Sequence, residues 1–205
     1  MGFYSRVVFP RVVNWWMSDR ETTKIRKEIL AGVSGEVFEL GFGTGLNLPH
    51  YPGRVTRLVT ADPNPGMAKT ARVRIANSPI EVDCRILGGE ALPFDDDSFD
   101  AVVCTWTLCS IPNADRALAH CHRILRPGGK LFFVEHGLAG DSAVQKWQAR
   151  LDPLWGVLCG GCHLNRDIRE LILDSKFRLD KFENFYMPGA FKFMGYMYQG
   201  VAVKA

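Results

Sequence analysis

A glycine-rich loop directly after a short apolar segment constrains this chain more than any other feature. Residues 37–40 are predicted to form a buried strand, and Gly41, Gly43 and Gly45 follow with the spacing G-x-G-x-G. Such a loop brings bare backbone close to a ligand, because glycine has no Cβ. A helix beginning there would add free N–H groups and a positive dipole end. The loop can therefore hold a nucleotide-like cofactor; the alternative is a tight strand-to-helix turn.

The next predicted strand, residues 57–62, ends on an acid. Asp62 lies 21 positions after Gly41. In nucleotide-binding βαβ units, an acid about 20 residues beyond the glycine loop accepts hydrogen bonds from the ribose hydroxyls. The alternative role is to cap the following helix. The succession of strand, glycine loop, strand and acid favours cofactor binding.

The glycine spacing also distinguishes between cofactor types. Dinucleotide-binding loops have the spacing G-x-G-x-x-G, which lets the backbone approach a pyrophosphate. Here the third glycine comes one position earlier, Glu39 precedes the loop, and no basic residue lies between Glu36 and His50. A carboxylate at this place would repel a phosphate and attract a cation, so the sequence favours a cationic ligand.

Composition bounds the remaining possibilities. The 205 residues suffice for one domain with a core, and contents of 47% apolar and 23% charged residues are ordinary for a soluble globular protein. A net charge of +3 without basic clusters gives no indication of nucleic-acid binding. The six cysteines lie mostly in apolar runs, which predicts reduced thiols in a cytoplasmic protein. Arg6, Pro10 and Arg11 interrupt the apolar N-terminus, so neither a secretory signal nor a membrane span is expected.

Alternating apolar runs and turn residues predict the other elements of a nucleotide-type α/β domain. Helices are predicted from Ser18 or Asp19 to about Leu30, over residues 67–76, from Asn113 to Leu125 and in two parts of residues 141–174. Strands are predicted over residues 80–86, 98–107, 130–134, 177–185 and 194–204, the last two as an antiparallel pair. Ligands bind at the carboxyl ends of the strands in such sheets.

The pattern E-x-G-x-G-x-G over residues 39–45, together with Leu-Arg-Pro-Gly-Gly over residues 125–129, resembles class I methyltransferases that use S-adenosylmethionine. The resemblance implies a Rossmann-like α/β fold, with a seven-stranded, mostly parallel sheet whose last strand is antiparallel and with helices on both faces. It implies that residues 35–205 form the cofactor-binding domain and that residues 1–34 form an N-terminal helical lid or substrate-side segment. The cofactor's amino-acid end is expected near Glu39 and its ribose on Asp62.

The same resemblance implies which other residues contact the cofactor. The complete predicted set is Glu39, Gly41, Phe42, Gly43, Gly45, Asn47, Asp62, Pro63, Asn64, Met67, Gly89, Glu90, Ala91, Cys104, Thr105 and Trp106. One position departs from the family, since many members have an Asp for the adenine amino group where this chain has Gly88. The adenine is therefore expected to contact the backbone around Gly89 and Glu90, or the Glu90 side chain.

Four further segments resemble the alkyl thiol methyltransferases of the methyltransferase-like group, at residues 62–65, 103–110, 131–136 and 161–166. This resemblance implies in-line transfer of a methyl group to hydrogen sulfide or an alkyl thiol, with S-adenosylhomocysteine as product. The catalytic candidates are His136, Cys162, His163 and Arg166. The two histidines and Arg166 can supply the nearby cation that helps to deprotonate a thiol, whose free pKa is near ~8.5. The bacterial phosphatidylethanolamine N-methyltransferases are a more distant resemblance. Methylation of a phospholipid or of another small molecule at N or O, and a non-catalytic cofactor-binding scaffold, are the alternatives.

Two segments allow several roles. Residues 1–17 combine five aromatic residues with two arginines, which fits a lid, simple packing on the domain or a peripheral membrane contact. The hydrophobic N-terminal anchor of the thiol methyltransferases is not expected in this chain. Cys159-x-x-Cys162-His163 suggests a metal or redox site, but one CxxC motif supplies two ligands and zinc needs three or four, so neither a metal nor redox chemistry is predicted. The acceptor's identity and the oligomeric state remain open.

Overall fold

The computed structural model describes residues 2–204. The first residue of the predicted N-terminal segment and the last residue of the predicted cofactor-binding domain lie outside the described residues. Within this range, seven strands form one sheet in the order β3-β2-β1-β4-β5-β7-β6. They are β1 Gly35–Leu40, β2 Val55–Ala61, β3 Glu81–Arg85, β4 Phe99–Thr105, β5 Leu125–His136, β6 Phe177–Tyr186 and β7 Tyr196–Lys204. Strands β1 to β5 pair in parallel, and β7 is antiparallel to both β5 and β6. The predicted sheet is confirmed.

Apolar residues cover both faces of the sheet because successive side chains on a strand point to opposite sides. Val102 and Val103 of β4 are both fully buried, yet they belong to two different hydrophobic clusters. β4 lies between β1 and β5, where a continuous apolar and β-branched strand is expected. The two clusters place helices on both faces of the sheet, as the resemblance to class I methyltransferases implies.

The helices are α1 Phe9–Trp16, α2 Arg20–Leu30, α3 Pro65–Ala76, α4 Ala114–Ile124, α5 Ser142–Leu158 and α6 Ile168–Asp174, with a π-helical segment at Tyr4–Val8. Ile25 and Ile29 of α2 join one cluster, while Leu118 of α4 and Ile172 of α6 join the other. The Asp19 side chain accepts the N–H groups of Glu21 and Thr22 and so caps α2. No helix within residues 2–204 is long and apolar enough to cross a membrane.

Two sequence expectations about local structure are wrong. No α-helix follows the glycine loop within the described segment between β1 and β2, where the only helix is a single 3-10 turn at Leu48–His50. Pro49, Pro52 and Gly53 prevent a longer helix there, so the loop has no helix dipole behind it. The segment Arg126–Gly129 lies inside β5 rather than before it, because Leu125 already pairs with Phe99 across a register shift.

The N-terminal elements pack across one edge of the domain. The Tyr4 hydroxyl donates to the Leu158 carbonyl at the end of α5 at 3.1 Å. The rings of Trp16 and Trp155 meet edge to face, with centroids 6.2 Å apart. The π-helical segment and α1 also contact α3. Residues from the chain's start therefore connect the helices that flank the carboxyl edge of the sheet.

Candidate active site

The glycine loop leaves the end of β1 with its glycines in the left-handed region. Gly41, Gly43 and Gly45 have φ values of +77°, +56° and +77°. A Cβ at Gly41 would lie 1.9 Å from Oγ1 of Thr107, so a side chain there would collide with the loop after β4. A Cβ at Gly43 would meet nothing nearer than 4.0 Å. Gly43 therefore presents bare backbone beside open space, while Phe42 is buried below it.

A buried polar network lies under the loop. Glu39 is 1% exposed, and its carboxylate accepts hydrogen bonds from Nδ2 of Asn47 at 2.8 Å and from the hydroxyl of Tyr51 at 2.7 Å. Burial raises the pKa of Glu39 to about 7, against the opposing effect of these hydrogen bonds and of the Arg26 charge. Nδ2 of Asn47 also lies 2.9 Å from Oγ1 of Thr105. The network thus joins the ends of β1 and β4.

Asp62 connects the glycine loop to the turn after β2. Its Oδ2 accepts the N–H of Gly43 at 2.9 Å, and its Oδ1 accepts the N–H of Asn64 at 2.8 Å. Burial raises the pKa of Asp62, and the two backbone N–H groups act in the opposite direction. Each carboxylate oxygen can accept more than one hydrogen bond, so both retain capacity for a ligand.

The N-terminal segment closes over this turn. Asn64 caps α3 by accepting the N–H of Gly66, and its Nδ2 donates to the Ser5 carbonyl at 2.8 Å. A Cβ at Gly66 would lie 2.1 Å from the Arg6 carbonyl oxygen, so the two backbones are in direct contact. Met67 is buried in the first turn of α3, and Pro63 is exposed.

The positions expected to hold adenine lie along the segment after β3. A Cβ at Gly89 would come within 2.7 Å of a Leu40 methyl group, so this glycine is packed against the core. Oε1 of Glu90 accepts the N–H of Asn113 at 2.9 Å, at the start of α4. Gly88 has no contact closer than 3.9 Å for a Cβ, and Ala91 is exposed. The Glu90 side chain is therefore engaged by α4, and open space lies at Gly88.

The loop after β4 has an unusual backbone. Trp106 has a φ of +50°, which is rare for a bulky residue and marks strained or functional positions. Its N–H donates to the Val134 carbonyl at 2.7 Å, and the Arg26 guanidinium lies 4.7 Å from the centre of its ring. Cys104 is fully buried just before it, with Sγ 3.5 Å from Oε1 of Glu135.

Glu135 holds this loop in place from beneath. Its buried carboxylate accepts three successive backbone N–H groups, from Thr107 at 2.8 Å, Leu108 at 3.0 Å and Cys109 at 3.3 Å. Burial raises the pKa of Glu135, while these N–H groups favour the charged form. Glu135 is not among the site residues predicted from the sequence, although a buried acid at a strand's carboxyl end is a recognisable signal.

Arg166 holds the same loop from the other side. Its Nη1 donates to the carbonyls of Leu108 and of Ile111, the latter at 2.6 Å. The guanidinium is therefore committed to backbone. His163 lies apart from this contact, with Nδ1 3.0 Å from the Asp152 carboxylate of α5.

Three nearly buried side chains meet at the carboxyl ends of β4 and β5. Nε2 of His136 lies 2.7 Å from Sγ of Cys162, and that sulfur lies 3.5 Å from Sγ of Cys109. The hydrogen bond to Cys109 and burial raise the pKa of Cys162, and the neighbouring His136 imidazole acts in the opposite direction. Nδ1 of His136 is buried without a partner among residues 2–204. The CxxC motif does not assemble here, because neither Cys159 nor His163 belongs to this group.

Comparison with known proteins agrees with this geometry. A family model described as a methyltransferase domain matches residues 38–133. Human thiol S-methyltransferase TMT1A is 36% identical over 180 residues, which cover 85% of this chain and 73% of that protein. The chain belongs to the class I S-adenosylmethionine-dependent methyltransferases.

Two further comparisons bear on this methyltransferase. The phosphatidylethanolamine N-methyltransferase of Cereibacter sphaeroides is 33% identical over 128 residues, which cover 60% of this chain and 62% of that one. The methyltransferase solved with the Haloferax volcanii Trm112 activator superposes with a TM-score of 0.74 at 18% identity, covering 100% of this chain and 98% of that one. At that identity the likeness shows the fold alone.

The cofactor of this methyltransferase is S-adenosylmethionine, and the residues at the carboxyl edge fit it. Oδ1 of Asn47 is a buried acceptor without a partner in the described part of the chain, and buried acceptors require donors. An ammonium group beside Asn47 and Glu39 would supply one. The bare backbone at Gly43 and the free acceptor capacity of Asp62 suit the rest of a cationic nucleoside.

Proposed function

We propose that this methyltransferase methylates a small thiol, such as hydrogen sulfide or an alkyl thiol. The observation that carries the proposal is the cluster of Cys109, His136 and Cys162 at the carboxyl ends of β4 and β5, where class I sheets bind ligands. The chain's likeness to human TMT1A, a thiol S-methyltransferase, supports the same acceptor class. S-adenosylmethionine supplies an electrophilic methyl group on a sulfonium.

Residues at the ends of β1 and β2 would bind and orient the cofactor. Glu39 and Asn47 would receive its amino-acid end, and Asp62 would accept the ribose hydroxyls while keeping its contact with Gly43. The strained backbone at Trp106 would line the space between cofactor and acceptor. Alignment of reacting groups contributes up to roughly 7–11 kcal/mol in well-oriented reactions.

His136 would provide the polar group that stabilises the acceptor's thiolate. A thiol attacks as its thiolate, so any group that favours deprotonation raises the rate near neutral pH. His136 has a buried ring nitrogen without a partner in the described structure, and a bound acceptor would satisfy it. Glu135 and Arg166 would contribute indirectly, because they position the loop that carries Cys109.

The test measures S-adenosylhomocysteine formation with hydrogen sulfide, a short alkyl thiol, a dithiol and phosphatidylethanolamine vesicles. The proposal predicts turnover with thiols. His136→Ala should lower kcat/KM by about 10²–10⁴-fold, whereas His120→Ala in α4, outside the cysteine–histidine cluster, should leave it unchanged. Turnover with vesicles alone would favour a phospholipid acceptor. Cofactor binding without turnover on any acceptor would favour the scaffold alternative.

We also propose that residues 2–17 act as a lid over the cofactor side. The Ser5 and Arg6 carbonyls touch the start of α3 at Asn64 and Gly66. Phe9 lies against Gly160 beyond the end of α5, where a Cβ would be 2.8 Å from its ring. The segment therefore bridges the two sides of the site and would have to move for a ligand to enter beneath it.

The outer surface of the same region suits a peripheral contact with lipid. Trp15 and Val157 are 81% and 77% exposed, and the exposed Arg6 and Arg11 precede Trp15 in the N-terminal segment. Exposed aromatic and aliphatic residues with nearby arginines are typical of interfacial helices. Sedimentation with phosphatidylcholine–phosphatidylglycerol vesicles tests the proposal. The pair Trp15→Ser and Val157→Ser should reduce binding, and the equally exposed Val73→Ser should not; equal binding by all three proteins would refute a contact there.

A further inference from the structure

The cluster after β4 and β5 has a composition that the methyl transfer alone does not require. We propose that Cys109, His136 and Cys162 bind a zinc ion or a similar soft divalent metal ion. One ligand atom from each residue lies within 4.8 Å of the other two. Two thiolates and one imidazole are a ligand set found at catalytic zinc, where three protein ligands leave one position open.

The distances are close to those of a tetrahedral site. Zinc lies ~2.3 Å from sulfur and ~2.0–2.1 Å from nitrogen, so ligand atoms of one tetrahedron are roughly 3.4–3.8 Å apart. The two sulfurs are 3.5 Å apart already. Nε2 of His136 and Sγ of Cys162, now 2.7 Å apart, would separate by less than about 1 Å when an ion lies between the ligands.

The surroundings suit an ion. Cys109 is 1% exposed, Cys162 is 7% and His136 is 9%, so little solvent reaches the cluster. Two thiolates and one divalent cation sum to no net charge, which avoids the cost of an unpaired buried charge. The ligands come from three separate segments, and contacts from Glu135 and Arg166 fix the loop that carries Cys109.

The proposed site differs from the one that the CxxC motif suggests. His163 hydrogen-bonds to Asp152, whose other oxygen accepts the Leu164 N–H at 2.6 Å. Cys159 is half-buried and lies outside the three-residue group. Variants at Cys159 and at Cys109 therefore separate the two arrangements.

The open fourth position would take the acceptor's sulfur, so His136 would stabilise the thiolate through the ion rather than directly, and this step rests on the proposed function. A thiol that coordinates zinc is deprotonated, and its proton leaves to solvent. The sulfur's electron pair then forms the new S–C bond as the S–C bond of the sulfonium breaks. The electron pair of the broken bond remains on the sulfur of S-adenosylhomocysteine, so atoms and charge balance.

The test titrates metal-depleted, reduced full-length protein with Co²⁺ and follows the thiolate-to-cobalt absorption in the near ultraviolet. The inference predicts saturation near one equivalent. Cys109→Ser and Cys162→Ser should lose this band, and Cys159→Ser and Cys84→Ser should retain it. Because a core variant can misfold, ¹¹³Cd NMR of the wild-type protein gives a second measurement, with a shift typical of two sulfur ligands.

The outcomes separate the two proposals. A missing band in the folded wild-type protein, or a band lost in Cys159→Ser and kept in Cys109→Ser, would overturn the metal site. Thiol turnover that persists in chelator-treated, metal-free protein would overturn coordination of the acceptor by the metal ion while leaving the proposed function intact. Stoichiometric binding with the predicted variant pattern, but no thiol turnover, would support the site and contradict the acceptor.

Discussion

The carboxylate of Glu135 accepts the backbone N–H of Thr107 at 2.8 Å, although the two residues are 28 positions apart. The same carboxylate receives the N–H groups of Leu108 and Cys109, so one buried side chain shapes the loop that follows β4. The loop carries both the strained Trp106 and a member of the cysteine–histidine cluster. The shape of the candidate site therefore depends on a residue that need not touch any ligand.

Replacing Glu135 with Gln should destabilise the protein by about 2–4 kcal/mol. The buried hydrogen bonds to a charged group are lost, and the side-chain NH2 group of the glutamine would face backbone N–H donors, from which it cannot accept hydrogen bonds. Urea denaturation measures the free energy of unfolding. The matched control is Glu28→Gln, a surface acid 3.9 Å from Lys24, which should change stability by less than ~1 kcal/mol. Equal stability of the two variants would contradict the positioning role.

Cofactor affinity should increase with pH between 5.5 and 7.5. Because the pKa of Glu39 is raised to about 7, the carboxyl is largely protonated at the acidic end and attracts a cation weakly. Calorimetric dissociation constants for the wild type should fall several-fold across this range, and those of Glu39→Gln should stay flat. A parallel pH dependence in the variant would assign the titration to another group, such as Asp62.

The raised pKa of Glu39 also makes the stability of the folded protein depend on pH. The folded protein holds a proton on Glu39 that the unfolded chain loses at its ordinary, lower pKa. The cofactor-free protein should therefore lose stability as pH rises from about 4.5 through 7, and part of that loss should be absent in Glu39→Gln. Chemical denaturation at several pH values compares the two slopes. Identical slopes would place the raised pKa elsewhere.

Asp62→Asn should weaken S-adenosylhomocysteine binding by about 10–100-fold, since hydrogen bonds to a charged group contribute ~1.5–3 kcal/mol. Isothermal titration calorimetry gives the affinity directly. Asp96→Asn, which removes an exposed partner of Arg123, serves as the control and should leave affinity unchanged. Unchanged affinity in Asp62→Asn would mean that the ribose lies elsewhere.

Gly66→Ala tests the lid. The added Cβ would come within 2.1 Å of the Arg6 carbonyl oxygen, while alanine is otherwise a better helix former than glycine. Proteolytic cleavage within residues 2–17 should accelerate about tenfold, equivalent to ~1.4 kcal/mol of lost contact. Gly53→Ala, where a Cβ meets nothing within 4 Å, should cleave like the wild type. Equal cleavage of both variants would contradict the lid.

Local signals in the sequence were sufficient to place most of the strands. The apolar run before Gly41 and the acid directly after β2 each predict a feature of their own strand, whereas the arrangement of the sheet and the identity of the cofactor came from the resemblance to class I methyltransferases. The expected helix after the glycine loop failed for an equally local reason, because Pro49 and Pro52 follow too soon.

The acceptor side could not be predicted in the same way. Cys109 and Cys162 meet only after α4, β5 and α5 have folded between them, a separation of 53 residues. The nearer CxxC motif instead suggested Cys159 as the partner of Cys162. Likewise, the positive charge of Arg166 suits a catalytic role. Its guanidinium instead donates to two carbonyls of a loop that lies more than 50 residues earlier in the chain.

The central claim, methyl transfer from S-adenosylmethionine to a thiol, is tested most directly by identifying the product. Mass spectrometry after incubation with deuteromethyl-labelled cofactor and a short alkyl thiol should show a labelled thioether and S-adenosylhomocysteine in a 1:1 ratio, dependent on active protein. Label found on a phospholipid amine, or no labelled product beside bound cofactor, would contradict the assignment.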